Sequence, residues 1–136
     1  MPPVITHTTI EWLGGERFAG GAPNGPKAFM DGEGASAPSP VVTLLNAAAS
    51  CAATDVVLIL AKKKVELKKL TVEVAADRRE TAPRRVLALT LVWRLAGSGL
   101  DLTKARHAID LSVEKYCSVM SSLNPDIKVT NEIHLG

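Results

Sequence analysis

Apolar and polar positions alternate along two stretches of the chain and merge into one long apolar run between its glycine-rich start and those stretches. Leu70, Val72, Val74 and Ala76 alternate with Thr71, Glu73, Ala75 and Asp77. Leu87, Leu89, Leu91, Trp93 and Leu95 then mark every second position of the next segment. Period two is the pattern of a strand with one buried face. The polar connection Arg78 to Arg85 between them predicts a hairpin. A third alternation, Ile127, Val129, Asn131, Ile133 and Leu135, predicts a final strand after the Pro125 break. Near the start, β-branched Ile5, Thr6, Thr8, Thr9 and Ile10 predict a strand over Ile5 to Leu13, ended by Gly14-Gly15. The stretch around Gly20-Gly21 and Pro23 to Pro26 is read as turns, with a short strand over Lys27 to Met30 and a loop over Asp31 to Pro38.

The long apolar run follows Pro38-Ser39-Pro40. Ser39 is a good helix N-cap, and Pro40 suits the first helical position, where its missing N–H costs nothing. The helix is expected to reach about Lys64, with Lys62, Lys63 and Lys64 complementing the negative end of its dipole. It is apolar on nearly every face, so it is expected to be covered on all sides. Val41 to Ala61 is also long enough to span a bilayer. Asn46, Ser50, Thr54 and Asp55 interrupt it, and an Asp near the middle of a span costs about 2.5–3.5 kcal/mol. A buried helix is therefore expected, with no membrane partner. A second helix is predicted from about Leu102 to Tyr116, with Ala105, Ala108, Ile109 and Ser112 near one face. The order is strands, long helix, strand pair, helix, strand, which makes an α+β fold. One small sheet cannot cover so apolar a helix, and a second copy of the chain could do so.

Composition narrows the function. The 136 residues are 46% apolar and 22% charged, ordinary for one globular domain over 1–136. A net charge of +2 gives no sign of a dedicated nucleic-acid binder. Lys62–Lys64 and Arg84–Arg85 are explained as a helix end and a solvated loop. Met1 to His7 shows no basic segment leading into an apolar one, so no signal peptide is expected and the chain is read as cytoplasmic. There is no phosphate loop, no Gly-x-Ser-x-Gly and no His-Glu-x-x-His. His7, His107 and His134 are scattered, so neither a metal nor a cofactor is expected.

The chemistry that remains is thiol chemistry. Cys51 lies deep in the long helix, beyond reach of the dipole at its start, and Asp55 sits one turn on, where its charge would oppose a thiolate. A reactive Cys51 therefore needs a cation from elsewhere. Arg17, in the glycine-rich N-terminal segment, is the candidate; a solvated turn arginine is the alternative. Cys117 is close to Lys115, and a helix break near Tyr116 with a restart would place it at a new N-terminus; both would favour its thiolate. For each cysteine the alternative is an inert core thiol.

Taken together the segments resemble the OsmC/Ohr family. Ala37 to Pro40, Ala47 to Cys51, and Asp55-Val56-Val57 with Ile59-Leu60 are similar to its first-cysteine helix. Met30-Asp31-Gly32, Arg78 to Arg84, and Asp110-Leu111-Ser112 with Glu114 to Val119 are similar to the YhfA-like branch. The resemblance implies an OsmC-like fold, in which long central helices pack with antiparallel sheets in an intertwined homodimer. It implies a thiol peroxidase that reduces organic hydroperoxides, with Cys51 peroxidatic, Cys117 resolving and an external dithiol as reductant. Where hydroperoxide-reducing members carry a glutamate soon after the proline, this chain has Val41, Val42 and Thr43, so no carboxylate stands there to pair with Arg17. The competing expectation is a non-catalytic protein of this fold that binds an apolar small molecule at the dimer interface.

Overall fold

The computed structural model describes residues 3–136, which form two compact units, one ending at Asn46 and the other running from Ala47 to Gly136. The first holds an antiparallel sheet, β1 (Thr9–Gly14), β2 (Arg17–Gly21) and β3 (Ala28–Asp31), in that order. Gly14 and Gly15 turn the β1–β2 hairpin with φ of 103° and 59°, a conformation that favours glycine. β1 starts later than the alternation predicted, and β2 lies where turns were expected. Gly20 sits in mid-strand because a Cβ there would come within 2.4 Å of the Ile10 side chain across the ladder. After β3, the Asp31 carboxylate closes the loop by accepting from the N–H groups of Glu33 and Ser36, both at 2.9 Å, and from the Ser36 hydroxyl. These donors hold its pKa down at about 2.

Helix α1 (Pro40–Lys62) starts in the first unit and runs mostly through the second. Ser39 caps it as predicted, its hydroxyl accepting from the Val42 N–H at 3.2 Å. The helix stops two residues short of the expected end. Lys64 takes φ 62°, and the Lys64 and Val65 N–H groups satisfy the Ala61 and Leu60 carbonyls. Only Ala48, Ala52, Val56 and Leu60 are buried, a single stripe at four-residue spacing. Burial on all sides was the expectation, but in one chain just 22% of the most apolar window is buried, and Val57 and Leu58 stand in solvent. By length and composition alone this helix could cross a membrane.

The second unit continues with β4 (Glu66–Arg78) and β5 (Val86–Ser98), which form the predicted hairpin with longer strands. Gly97 lets them approach closely, since a Cβ there would come 2.5 Å from the Glu66 carbonyl oxygen. The chain goes on through α2 (Leu102–Leu111), a five-residue π turn (Ser112–Tyr116), the short α3 (Ser118–Ser122) and β6 (Lys128–Leu135). The Asp101 side chain caps α2 at the Lys104 N–H. β6 pairs with β5 in parallel, so the second sheet, ordered β4-β5-β6, is mixed rather than antiparallel throughout. Leu89, Leu91, Trp93 and Leu95 from β5 form the centre of this unit's core, together with the α1 stripe and Ala105, Ala108 and Ile109 of α2.

Candidate functional site

Cys51 and Cys117, 66 positions apart in sequence, meet in the second unit as free thiols. The local reason is the change of helical pitch after α2. The Cys117 N–H donates to the Ser112 carbonyl at 2.8 Å, an i to i+5 bond that closes the π turn. Cys117 then leaves helical geometry at ψ 108° and becomes the N-cap of α3, its sulfur accepting from the Met120 N–H at 3.4 Å. The break and restart foreseen near Tyr116 are therefore present, with a π turn as their cause.

The electrostatic outcome differs from the expectation for Cys117. Its side chain is buried, 1% exposed, and that burial pushes its thiol pKa up, outweighing the α3 N–H groups. Lys115 is exposed to solvent and is not among the causes of this shift. The amides opened by the restart serve Cys51 as well. The part-exposed Cys51 thiol is held below the ordinary cysteine pKa, first by the Val119 N–H, then by the Cys117 thiol and the Ser118 N–H. Burial and the charge of Asp55 act in the opposite direction without reversing the result. Where a cation was the expected support for Cys51, backbone N–H groups supply it.

Cys117 has one thiol proton and two acceptors. The Ala48 carbonyl lies at 3.9 Å, long even for sulfur, and the other acceptor is the Cys51 sulfur. An ionised acceptor makes the stronger bond. A Cys51 thiolate would therefore compete with the Ala48 carbonyl for that proton. Their surroundings push the two thiol pKa values apart, Cys51 downward and Cys117 upward.

Arg17 lies in the first unit, on β2, where its guanidinium donates to the Leu13 carbonyl at 3.1 Å. It borders a cleft of about 200 Å3 with Phe18, Phe29 and Met30. In the second unit a cleft of about 430 Å3 opens one turn along α1 from Cys51. It is lined by Leu58, Ile59, Leu111 and Tyr116, with Asp55 and Lys62 as its polar edge. Sequence reasoning did not reach two contributors to the site, the Val119 and Ser118 amides, because a backbone N–H carries no residue signature. It also missed Ser112 as a polar contact to α1. Ser112 is wholly buried, its hydroxyl 2.8 Å from the Ala52 carbonyl oxygen and 3.1 Å from Asp55 Oδ2.

The favoured thiolate has a measurable sign. Alkylation of Cys51 by iodoacetamide should reach half its maximal rate at a pH below that of an ordinary cysteine, about 8.5. Asp55→Asn should lower that midpoint further, since the Asp55 charge opposes the thiolate. Because the folded-state pKa is the lower one, this thiolate adds stability that is full above the unfolded-state pKa. That stability is lost as pH falls through the folded-state value. A Cys51 midpoint at or above 8.5 would show that the amides do not carry the charge.

Comparison with known proteins places the fold. A family model described as OsmC-like protein matches residues 32–132. The protein YhfA of Escherichia coli (strain K12) is 37% identical over 123 residues, covering 90% of this chain and 92% of its own. The crystal structure of a hypothetical protein from Aquifex aeolicus VF5 superposes with a TM-score of 0.83 at 24% identity, over 98% of this chain and 99% of that one. A crystal structure from Legionella pneumophila, described as an organic hydroperoxide resistance protein OsmC and predicted redox protein, superposes with a TM-score of 0.65 at 15% identity, over 98% of each chain. The α+β architecture, with its two sheets and long helix, is that of these proteins, and the chain belongs to the OsmC-like family.

Proposed function

We propose that the chain is a two-cysteine reductase of organic hydroperoxides, working as one domain over 1–136 in a homodimer. The observation that carries the reading is the split environment of the two neighbouring sulfurs, a part-exposed Cys51 whose pKa is lowered by donors on the α3 segment and a buried Cys117 whose pKa is raised. That is the division of labour a peroxidatic and a resolving thiol need. The Cys51 thiolate attacks the terminal hydroperoxide oxygen. The S–O bond forms, the O–O bond breaks, and the departing alkoxide takes a proton to become an alcohol. Cys51 is then a sulfenic acid. The Cys117 thiol condenses with it, giving the disulfide and water, and an external dithiol restores both thiols. A cycle that must return to free thiols suits the reducing cytoplasm. Arg17 is the candidate for orienting the peroxide.

The substrate class follows from the cleft beside Asp55. Leu58, Ile59, Leu111 and Tyr116 offer apolar surface, and burying apolar substrate surface contributes about 25 cal/mol per Å2. Hydrogen peroxide has none to bury. In a steady-state assay with a dithiol reductant, cumene hydroperoxide should show the higher kcat/KM, by about tenfold for each two methylenes' worth of buried surface at about 0.8 kcal/mol per methylene. Equal or reversed preference would mean that the cleft does not receive the substrate. An enzyme inert to both peroxides would favour a carrier that holds an apolar molecule in the same cleft.

The dimer rests on α1. A helix with a mean hydropathy of 1.8 over its apolar window, mostly uncovered in one chain, buries that surface when a second copy packs on it. Sedimentation at micromolar concentration should give twice the 14.4 kDa chain mass. A compact monomer that persists on dilution would refute this assembly.

A further inference from the structure

Ser112 occupies an unusual place between the two cysteines. Its hydroxyl reaches α1 at the carbonyl of Ala52, the residue next to Cys51, and lies within reach of Asp55 on the following turn. Its own carbonyl accepts the N–H of Cys117. A single buried residue thus touches the backbone beside one cysteine with its side chain and the backbone of the other with its main chain. No part of the proposed peroxide chemistry uses it.

We propose that Ser112 is the positioning residue for disulfide formation, its hydroxyl anchoring the π turn to α1 and its carbonyl setting Cys117 over Cys51. The inference rests on the redox-pair reading above and adds the element that fixes its geometry. The physical argument is one of register. In an unbroken α-helix the Ser112 carbonyl would accept from residue 116. The π turn passes that bond to residue 117 and turns the chain back by one residue, roughly 100° about the helix axis. A π turn is uncommon and needs outside support to persist. The Ser112 hydroxyl gives that support, because a buried hydroxyl without a partner is costly and its acceptors here belong to α1. Alanine at 112 removes the anchor and lets the segment relax toward α geometry, which swings Cys117 away from Cys51. The sulfenic acid would still form, since the attacking sulfur is on α1, but more slowly, because the Val119 and Ser118 amides that favour the Cys51 thiolate move with Cys117; condensation with Cys117 would slow further.

The test follows the partition of oxidised Cys51. The parent, Ser112→Ala and Ser112→Thr are treated with one equivalent of cumene hydroperoxide in the presence of dimedone, and intact mass reports disulfide against dimedone adduct. The parent should give mainly disulfide. Ser112→Ala should still form sulfenic acid, at a reduced rate near neutral pH, yet resolve it at least tenfold more slowly, so that the adduct dominates. Ser112→Thr, which keeps the hydroxyl, should return toward the parent. A loss of folding alone would slow both steps without shifting the partition toward the adduct. The same three proteins are oxidised in parallel with diamide, which is itself reduced to the hydrazine as the two thiols become a disulfide. A parent inert to cumene hydroperoxide would sink the peroxidase reading while leaving the diamide arm to decide on Ser112. Slower disulfide formation in Ser112→Ala supports the inference there, and parental rates in both arms overturn it. If far-UV circular dichroism shows Ser112→Ala unfolded, Asp55→Ala takes its place. It removes one of the two acceptors and should slow resolution about threefold, and a parental partition in that variant overturns the proposal.

Discussion

Cys51→Ser should abolish hydroperoxide consumption, lowering the rate by at least about a thousandfold. A hydroxyl is not ionised at neutral pH, so the amides of Val119 and Ser118 would have no anion to hold. Cys117→Ser should behave differently. Its sulfur is buried and protonated, so losing it leaves the first chemical step in place and removes the second. One equivalent of peroxide should be consumed per site, after which turnover stops with a trappable sulfenic acid on Cys51. Stopped-flow consumption of cumene hydroperoxide, followed by mass analysis of the products, separates the two variants. If both react like the parent, the redox pair is wrong. If they fail identically, Cys117 acts before the sulfenic acid forms, as a structural support of Cys51 rather than a resolving thiol.

Trp93→Ala should be the most destabilising single change in the second unit. Trp93 is the largest wholly buried side chain, 0% exposed, at the centre of β5. On one side it stands opposite Val72 of β4 and on the other opposite Ile133 of β6. Removing a buried Trp costs about 3–5 kcal/mol through lost transfer energy and the cavity left behind. The indole N–H also donates to Asn131 Oδ1 at 2.9 Å, so truncation leaves that amide oxygen without its partner in a half-buried position. Guanidinium unfolding at fixed protein concentration should show the midpoint fall with the slope unchanged. Trp93→Phe keeps most of the apolar surface and should lose about 1–3 kcal/mol, chiefly through the orphaned Asn131. A loss below about 1 kcal/mol for the alanine variant would show that the sheet core collapses around the gap.

These residues also show how far the chain could be read before its fold was seen. The β4–β5 hairpin, the capped start of α1, and the inward face of α2 at Ala105, Ala108 and Ile109, continued by Ser112 in the π turn, follow from period and capping chemistry, and all are present. Strand β2 was not legible because glycine has two meanings. At Gly14 and Gly15 it supplies a turn, whereas at Gly20 it supplies room for the Ile10 side chain, and a sequence does not distinguish conformational need from steric need. The direction of β6 was equally hidden, since alternation fixes which face is buried and not which way a strand runs. At the candidate site, both cysteines were singled out by residue type, and the fold brings them together. What separates them is distributed over backbone amides and a pitch change, neither of which has a letter in the sequence. The search for a nearby cation led to Arg17, while the donors that act on Cys51 are main-chain groups 67 and 68 positions away.

The parallel pairing of β6 beside β5 makes the stretch from Gly99 to Ile127 an obligatory crossover, because parallel neighbours cannot be joined by a tight turn. Cys117 is therefore carried on a connection whose ends are imposed by the sheet. The Arg79–Arg85 loop is free of that constraint. Its ends are pinned together by the Arg79 N–H on the Arg85 carbonyl at 2.9 Å, and its tip, Thr81 to Arg84, is exposed. Lineages of this protein can lengthen, shorten or decorate that hairpin tip without disturbing the sulfurs. An insertion of even one residue into the crossover must be absorbed between two fixed strands, at the expense of the meeting of Cys117 with Cys51. Variation in length should therefore accumulate at the hairpin, leaving the crossover with an almost invariant residue count.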